Sequence, residues 1–230
     1  MNEFLWFAML IANFLLILFI YRFVGKTGLF LWIPIATIIA NIQVVKMIDV
    51  FGVQATLGNI VYASSFLVTD ILSENYGKRY AKKSIYFGFF TMVVFTLMMN
   101  LSLLFIPSVD DFADSAMHTI FEIMPRIALA SMCAYAISQL HDIRAYEFWK
   151  RKLPATKYLW VRNNLSTMIS QALDTIVFTA VAFIGVYPLP VLIQICVTSY
   201  LIKWLVAALD TPFLYIAKHF KTHDLVKEID

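Results

Sequence analysis

Polar side chains recur with helical spacing in the stretch 163–175, which opens a long apolar run. On an α-helix, four of them stand at i, i+4, i+7 and i+11 and share one face: Asn163, Thr167, Ser170 and Asp174. A helix with one hydrogen-bonding face inside a bilayer needs partner helices or a water-filled cavity on that side, because unpaired polar groups are costly in hydrocarbon. The pattern therefore predicts one wall of a solute pathway.

Three ionisable groups and an amide are predicted at one depth on four separate segments. With a rise of about 1.5 Å per residue, they lie roughly 16 to 20 Å from the start of their segments, near the middle of a core of about 30 Å. These residues are Asn41, Asp70, Asp174 and Lys203. A charge at that depth costs about 2.5–3.5 kcal/mol on insertion scales, which favours a binding site. The structural alternatives are a buried Asp174–Lys203 ion pair that only fixes helix packing, and an interhelical hydrogen bond at Asn41.

Glu74 and Arg126 each have two interpretations. Glu74 follows Asp70 at i+4 and joins the same face, or it pairs with Lys78, also at i+4, as an ordinary surface pair. Arg126 extends outward to Glu122 at i−4, or it faces the cavity and binds the ligand. Asp70 has no such neighbour, which favours a functional role there.

The types of these side chains limit what the site could bind. Carboxylates and amides can bond the edge of a planar heterocycle, and nearby rings can stack on it. The polar groups are Asn41, Asn164, Gln171, Asp70 and Asp174, and the rings are Phe66, Tyr135, Phe178 and Tyr200. One mixed polar cluster fits a small polar solute better than an ion channel built from rings of like residues. No metal-ligand spacing, phosphate-binding loop or nucleophile motif occurs, so no cofactor, metal, nucleic-acid partner or enzymatic activity is expected.

The elements that must position these residues are membrane helices. With 61% hydrophobic residues, 14% charged residues and a mean hydropathy of +0.77, the chain has the composition of an integral membrane protein. Seven apolar segments can each span the core. They are 4–21, 29–48, 58–72 (continuing to 77), 84–106, 119–140, 163–184 and 190–217. This predicts an all-α, polytopic bundle of seven transmembrane helices in a single domain.

The basic residues orient the bundle. Fifteen of the 18 Lys and Arg residues fall in alternate loops and the C-terminal tail, whereas the other loops are acidic. By the positive-inside rule the N-terminus is outside and the C-terminus is in the cytoplasm. Helices 2–4 and 5–7 then run in opposite orientations, which permits an inverted repeat with the site at its interface. The loop 107–118 is expected to be irregular, and 145–150 to extend the fifth helix until Pro154 ends it.

Several short motifs follow one another in a specific order. They are A-N-I at 40–42, T-D-I-L-S-E-N-Y-G at 69–77, R-I-A-L-A-S at 126–131 followed by Ala134, Tyr135 and Gln139, S-Q-A-L-D-T at 170–175, and Tyr200 with Lys203. In order and spacing they resemble the queuosine precursor transporter family, also described as vitamin-uptake-like. The resemblance runs from about residue 40 onward, so residues 1–27 form an additional N-terminal helix beside a six-helix core at 28–220.

The resemblance implies a transporter of the inner membrane that imports 7-deazaguanine bases such as preQ0, preQ1 or queuine. The ligand would be purine-like, and its N1–H and 2-amino groups would donate to an Asp or Glu in a mid-membrane polar site. The substrate-binding residues carried over are Asn41, Asp70, Glu74, Arg126, Gln139, Gln171, Asp174 and Lys203. Asp70 and Asp174 are the principal candidates.

Three alternatives remain at this point. The chain could be the substrate-capture subunit of an importer with a separate energising module. It could be a membrane enzyme that uses Asp70 and Asp174 as an acid/base pair. The polar faces could also be oligomer contacts, and a homodimer is compatible with the sequence.

Overall fold

A computed structural model describes residues 1–185 and 188–228 as a helical bundle with one small hairpin. The helices are α1 (Asn2–Gln43), α2 (Asn59–Asn75), α3 (Lys78–Ser102), α4 (Asp114–Phe121), α5 (Met124–Lys152), α6 (Leu159–Phe183) and α7 (Leu189–Thr222), with a 3₁₀ turn at Thr156–Tyr158. The strands β1 (Met47–Val50) and β2 (Val53–Thr56) pair in antiparallel fashion. The chain is a multi-pass, all-α membrane bundle.

Five helices in the described residues are long and apolar enough to cross a membrane: α1, α3, α5 extended by α4, α6 extended by its preceding 3₁₀ turn, and α7. The sequence predicts seven crossings, and two features account for the difference. The first is that α1 is broken at Gly25, whose φ of 64° lies in the left-handed region that favours glycine. The break divides α1 into two helical halves, and the second half carries Asn41.

The second feature is α2, the central helix of the bundle. It has only 17 residues, about 26 Å of helix, and nearly all of its side chains are buried. Its neighbours are α1, α3, α5, α6 and α7. Because α2 contacts protein rather than lipid, it can carry Ser, Thr, Asp and Glu side chains that lower its hydropathy.

The predicted second segment is too long. It was expected to continue to residue 48, but α1 ends at Gln43 and residues 47–56 form the hairpin. β-branched residues favour this strand pairing, and the turn at Phe51 (φ 54°) and Gly52 (φ 74°) has the positive φ values of a two-residue hairpin loop. The Phe51 ring packs against Trp6 and Phe7 near the start of α1, which places the hairpin over that end of the bundle.

Two loop predictions have different outcomes. The irregular loop expected at 107–118 is partly wrong, because Asp114–Phe121 is helical and α5 begins only at Met124. The helical extension expected at 145–150 is confirmed, since α5 runs to Lys152 and Pro154 follows directly after Leu153. This extension brings basic residues of α5 back against the end of α2.

Candidate functional site

Asp174 and Lys203 form a buried ion pair between α6 and α7. The Lys203 Nζ donates to Asp174 Oδ2 at 2.6 Å, and both side chains are almost fully buried. The other oxygen, Asp174 Oδ1, accepts from Tyr62 Oη of α2 at 2.5 Å and from Ser138 Oγ of α5 at 3.1 Å. One carboxylate therefore ties four helices together, and both of its oxygens accept hydrogen bonds from protein side chains.

Two adjoining cavities lie in this region of the bundle, and the ion pair lines one of them. The first, which we call the Asp174 cavity, has a volume of about 390 Å³ and is lined by Asp174, Lys203 and Phe178. The second, the Tyr135 cavity, has about 380 Å³. Asn41, Tyr62 and Ser131 line both, so the cavities meet at these side chains.

Aromatic rings provide the apolar surfaces of this site. Tyr62 lies between Phe66 and Tyr135 in edge-to-face packing, with centroid distances of 6.4 and 6.2 Å. The Lys203 ammonium lies 5.2 Å from the centroid of the Tyr62 ring. Tyr135 Oη is buried without a hydrogen-bond partner among the described residues. The cavities therefore offer a charged pair, a free hydroxyl and ring faces within one site.

Of the site residues predicted from the sequence, Asn41 lines both cavities, whereas Gln139, Gln171 and Arg126 do not. The Asn41 amide donates from Nδ2 to Thr37 O at 2.7 Å in its own helix. Gln139 is buried and bonded to Thr69 at 3.1 Å, and both amide atoms of the fully buried Gln171 lack partners in the described structure. Arg126 lies in the first turn of α5 and donates to Ile184 O at 3.0 Å.

Asp70 is separated from the Asp174 cavity along the axis of α6. It accepts from Thr167 Oγ1 at 3.2 Å, and Thr167 precedes Asp174 by seven residues, about 10 Å of helix. Thr167 Oγ1 also lies 3.3 Å from Asp142 Oδ1, while Asp210 Oδ1 accepts from Asn163 at 2.6 Å. The structure thus brings Asn41, Asp174 and Lys203 to one cavity and places Asp70 in a second, deeper polar cluster.

Glu74 is the centre of an ion cluster at the end of the bundle opposite the hairpin. Its carboxylate lies 3.1 Å from Arg162 Nη2, 3.1 Å from Lys218 Nζ and 3.6 Å from Lys150 Nζ. Tyr146 Oη donates to the same carboxylate at 3.1 Å. Glu74 therefore joins α2 to α5, α6 and α7 instead of pairing with Lys78. We call these five residues the Glu74 cluster.

The sequence interpretation missed four residues of these polar layers: Tyr62, Asp142, Asp210 and Arg162. Asp210 is an acidic residue within a predicted span, which is itself a functional signal, but it lies about 30 Å from the start of that span and so falls outside the mid-depth set. Arg162 was counted in a loop, yet it lies in α6 and is only 1% exposed. No local signal distinguishes Tyr62 from other aromatic residues.

Comparison with known proteins gives consistent matches. Residues 56–217 match the model of a family described as "Putative vitamin uptake transporter". A "Probable queuosine precursor transporter" of Bacillus subtilis (strain 168) is 43% identical over 97% of both chains, so this match extends over the N-terminal helix as well. A "Queuosine precursor transporter" of Escherichia coli (strain K12) is 26% identical over 63% of this chain and 62% of its own.

A third relative, from Haemophilus influenzae (strain ATCC 51907 / DSM 11121 / KW20 / Rd), is also named "Probable queuosine precursor transporter". It is 30% identical over 58% of this chain and 54% of its own length. No solved structure matches the chain.

Proposed function

Because the chain belongs to the queuosine precursor transporter family and matches the model of the putative vitamin uptake transporters, we propose that it imports 7-deazaguanine bases through the Asp174 cavity. The observation that carries this proposal is the buried Asp174–Lys203 pair in the wall of the Asp174 cavity, which meets the Tyr135 cavity at Asn41, Tyr62 and Ser131. The family is one of transporters and not of enzymes, so the acid/base role considered for Asp70 and Asp174 is set aside.

The charged pair matches the polar edge of a deazaguanine base. A carboxylate such as Asp174 accepts from the N1–H and 2-amino groups, and an ammonium such as Lys203 donates to the 6-oxo group. The rings of Tyr62 and Phe178 provide faces for stacking, and Tyr135 Oη is available to bond a ligand atom. Since Asp174 Oδ1 already accepts from Tyr62, the entering base displaces the Tyr62 hydroxyl and thereby acts on α2.

Tyr62 offers a test of which group meets the base. Stacking of a base on an aromatic ring contributes about 1–3 kcal/mol, so Tyr62→Ala should weaken binding about 5- to 150-fold. Tyr62→Phe keeps the ring and should stay close to wild type. Binding of preQ1 and preQ0 to purified protein by calorimetry measures both variants. Equal losses in the two variants would show that the hydroxyl, and not the ring, makes the contact.

The proposal includes seven crossings with the N-terminus outside. They are the two halves of α1 on either side of Gly25, then α2, α3, α5, α6 and α7. In this arrangement Asn41 and Tyr62 come from the first three-helix unit of an inverted repeat, and Asp174 and Lys203 from the second. The Glu74 cluster, which contains basic residues, then closes the cytoplasmic end, and the hairpin lies outside.

Uptake by the purified protein in liposomes tests the function directly. Vesicles with the protein as their only transport component should take up preQ1 or preQ0 faster than empty vesicles, and unlabelled base should compete while adenine does not. Binding without uptake would contradict autonomous transport and favour the substrate-capture subunit. Absence of both binding and uptake across preQ0, preQ1, queuine and guanine would overturn the proposed substrate class.

A further inference from the structure

Three buried carboxylates from three helices meet below the Asp174 cavity. Asp70 of α2, Asp142 of α5 and Asp210 of α7 are all completely buried, and Thr167 of α6 lies among them. They lie between the Asp174 cavity and the Glu74 cluster, since Asp70 precedes Glu74 by one helical turn. We call these three residues the carboxylate cluster.

The carboxylate cluster has more acceptor atoms than donors. The single Thr167 hydroxyl lies within reach of both Asp70 Oδ2 and Asp142 Oδ1 but has only one proton to donate. Asp70 Oδ1, Asp142 Oδ2 and Asp210 Oδ2 are buried without a partner, and none of the three carboxylates is ion-paired with a described Lys or Arg. The cluster thus has fewer hydrogen-bond donors than acceptor atoms, even with Asn163 donating to Asp210, and no described cation is ion-paired with it.

The neighbouring basic and phenolic side chains already have partners. Arg162 and Tyr146 both bond to Glu74, and His141 Nδ1 lies against Ser170 Oγ at 3.0 Å. Asp70 and Asp142 both lie against the Thr167 hydroxyl, at 3.2 and 3.3 Å. Two carboxylates beside one hydroxyl in a site of low dielectric constant repel each other when both are ionised, which favours an arrangement in which they share a proton.

An independent feature connects the carboxylate cluster with the Asp174 cavity. Gln171 follows Thr167 at i+4 and precedes Asp174 by three residues, so it lies on the same face of α6 between the two sites. It is fully buried and both its amide atoms lack partners in the described residues. Asn163 Oδ1, beside Asp210, is likewise buried and unpaired. Amide groups without hydrogen-bond partners therefore lie at both borders of the cluster, and an exchangeable proton or a water molecule there would supply the missing hydrogen bonds.

We propose that Asp70, Asp142 and Asp210 form a proton-binding site that couples import to the proton gradient. This proposal rests on the proposed transport function. Loss of the proton would leave like charges on α2, α5 and α7, and these helices are also joined by the Asp174 site on one side and the Glu74 cluster on the other. The protonation state of the carboxylate cluster therefore acts on the same helices that must separate when the cytoplasmic end opens. A proton is favoured over a metal ion because the described residues contain no set of three or more His, Cys, Asp or Glu side chains arranged to hold a metal.

Gradient-driven accumulation in liposomes separates coupling from transport. With an acidic exterior, a gradient of about one pH unit should support about tenfold accumulation of preQ1 for one proton per base, and a protonophore should abolish it. Asp142→Asn, which mimics the protonated carboxyl, should still exchange external for internal base but should lose the accumulation. Glu147→Gln, the same change on the same helix outside the cluster, should accumulate like wild type.

The outcomes distinguish the two proposals. Wild-type exchange without any response to the pH gradient, or gradient-driven accumulation retained in Asp142→Asn, would overturn the proton site while leaving import intact. Dependence on a sodium gradient instead would also overturn it. If the wild type exchanges no base, the proposed function fails, and infrared spectroscopy still tests the site. A carboxylic-acid C=O band at neutral pH should be present in wild type and absent in Asp70→Asn/Asp142→Asn, and its absence from wild type would overturn the proposal.

Discussion

Replacement of Asp174 by asparagine is expected to abolish precursor import. The change replaces one of the two acceptor oxygens for the N1–H and 2-amino groups by an NH2 donor and leaves the Lys203 ammonium buried without its counter-charge. A hydrogen bond to a charged group contributes about 1.5–3 kcal/mol, so weakening the two that Asp174 would accept from the base corresponds to a loss of about 100-fold in binding. The unpaired Lys203 charge also destabilises the fold by about 3–5 kcal/mol. The measurement is precursor-dependent tRNA modification in a strain that cannot make the precursor, at equal expression of the protein.

Two further variants separate binding from folding. Asp110→Asn makes the same chemical change at an exposed loop position and should leave import unchanged. Asp174→Asn/Lys203→Gln removes both charges, so it should regain much of the stability lost in the single variant without regaining import. Normal tRNA modification in Asp174→Asn would refute the assignment of Asp174 to the substrate.

Glu74→Gln should produce the largest loss of stability. Glu74 is the only carboxylate that the described residues place within ion-pairing distance of Arg162, Lys150 and Lys218. Without it, three cations face one another, and the 1% exposed Arg162 keeps its charge with only the Leu153 and Pro154 carbonyls as acceptors. We expect destabilisation of about 3–5 kcal/mol, measured as a lower midpoint of thermal unfolding in detergent.

The control for this variant is Glu147→Gln, which changes a carboxylate of α5 outside the Glu74 cluster and should hardly alter the midpoint. Glu74→Gln/Arg162→Met should be less destabilised than Glu74→Gln alone, because it removes the uncompensated buried charge. An unchanged midpoint in Glu74→Gln would mean that water reaches the cluster and compensates the cations.

The Asp174–Lys203 pair shows how far local reasoning extends. Helical rise places both residues at similar depth, and helical periodicity assigns Asp174 to the polar face of α6, so an ion pair between them could be anticipated. The structure confirms the pair. The same reasoning placed Asp70 at that depth, yet Asp70 lies with Asp142 and Asp210. The short α2 starts at Asn59 after the hairpin, and its position along the bundle axis depends on that hairpin.

Membrane class, the approximate helix positions and the polar face of α6 follow from composition and periodicity alone, because hydropathy and the 3.6-residue repeat are local properties of a chain. The motifs and their order likewise identify the family. The tertiary packing decided that Tyr62 reaches Asp174, that Glu74 binds cations from three helices, and that the acidic residues divide into separate layers. Those contacts join residues from about 70 to 150 positions apart, and their formation depends on which helices pack together and in what register, for which a single sequence carries no local signal.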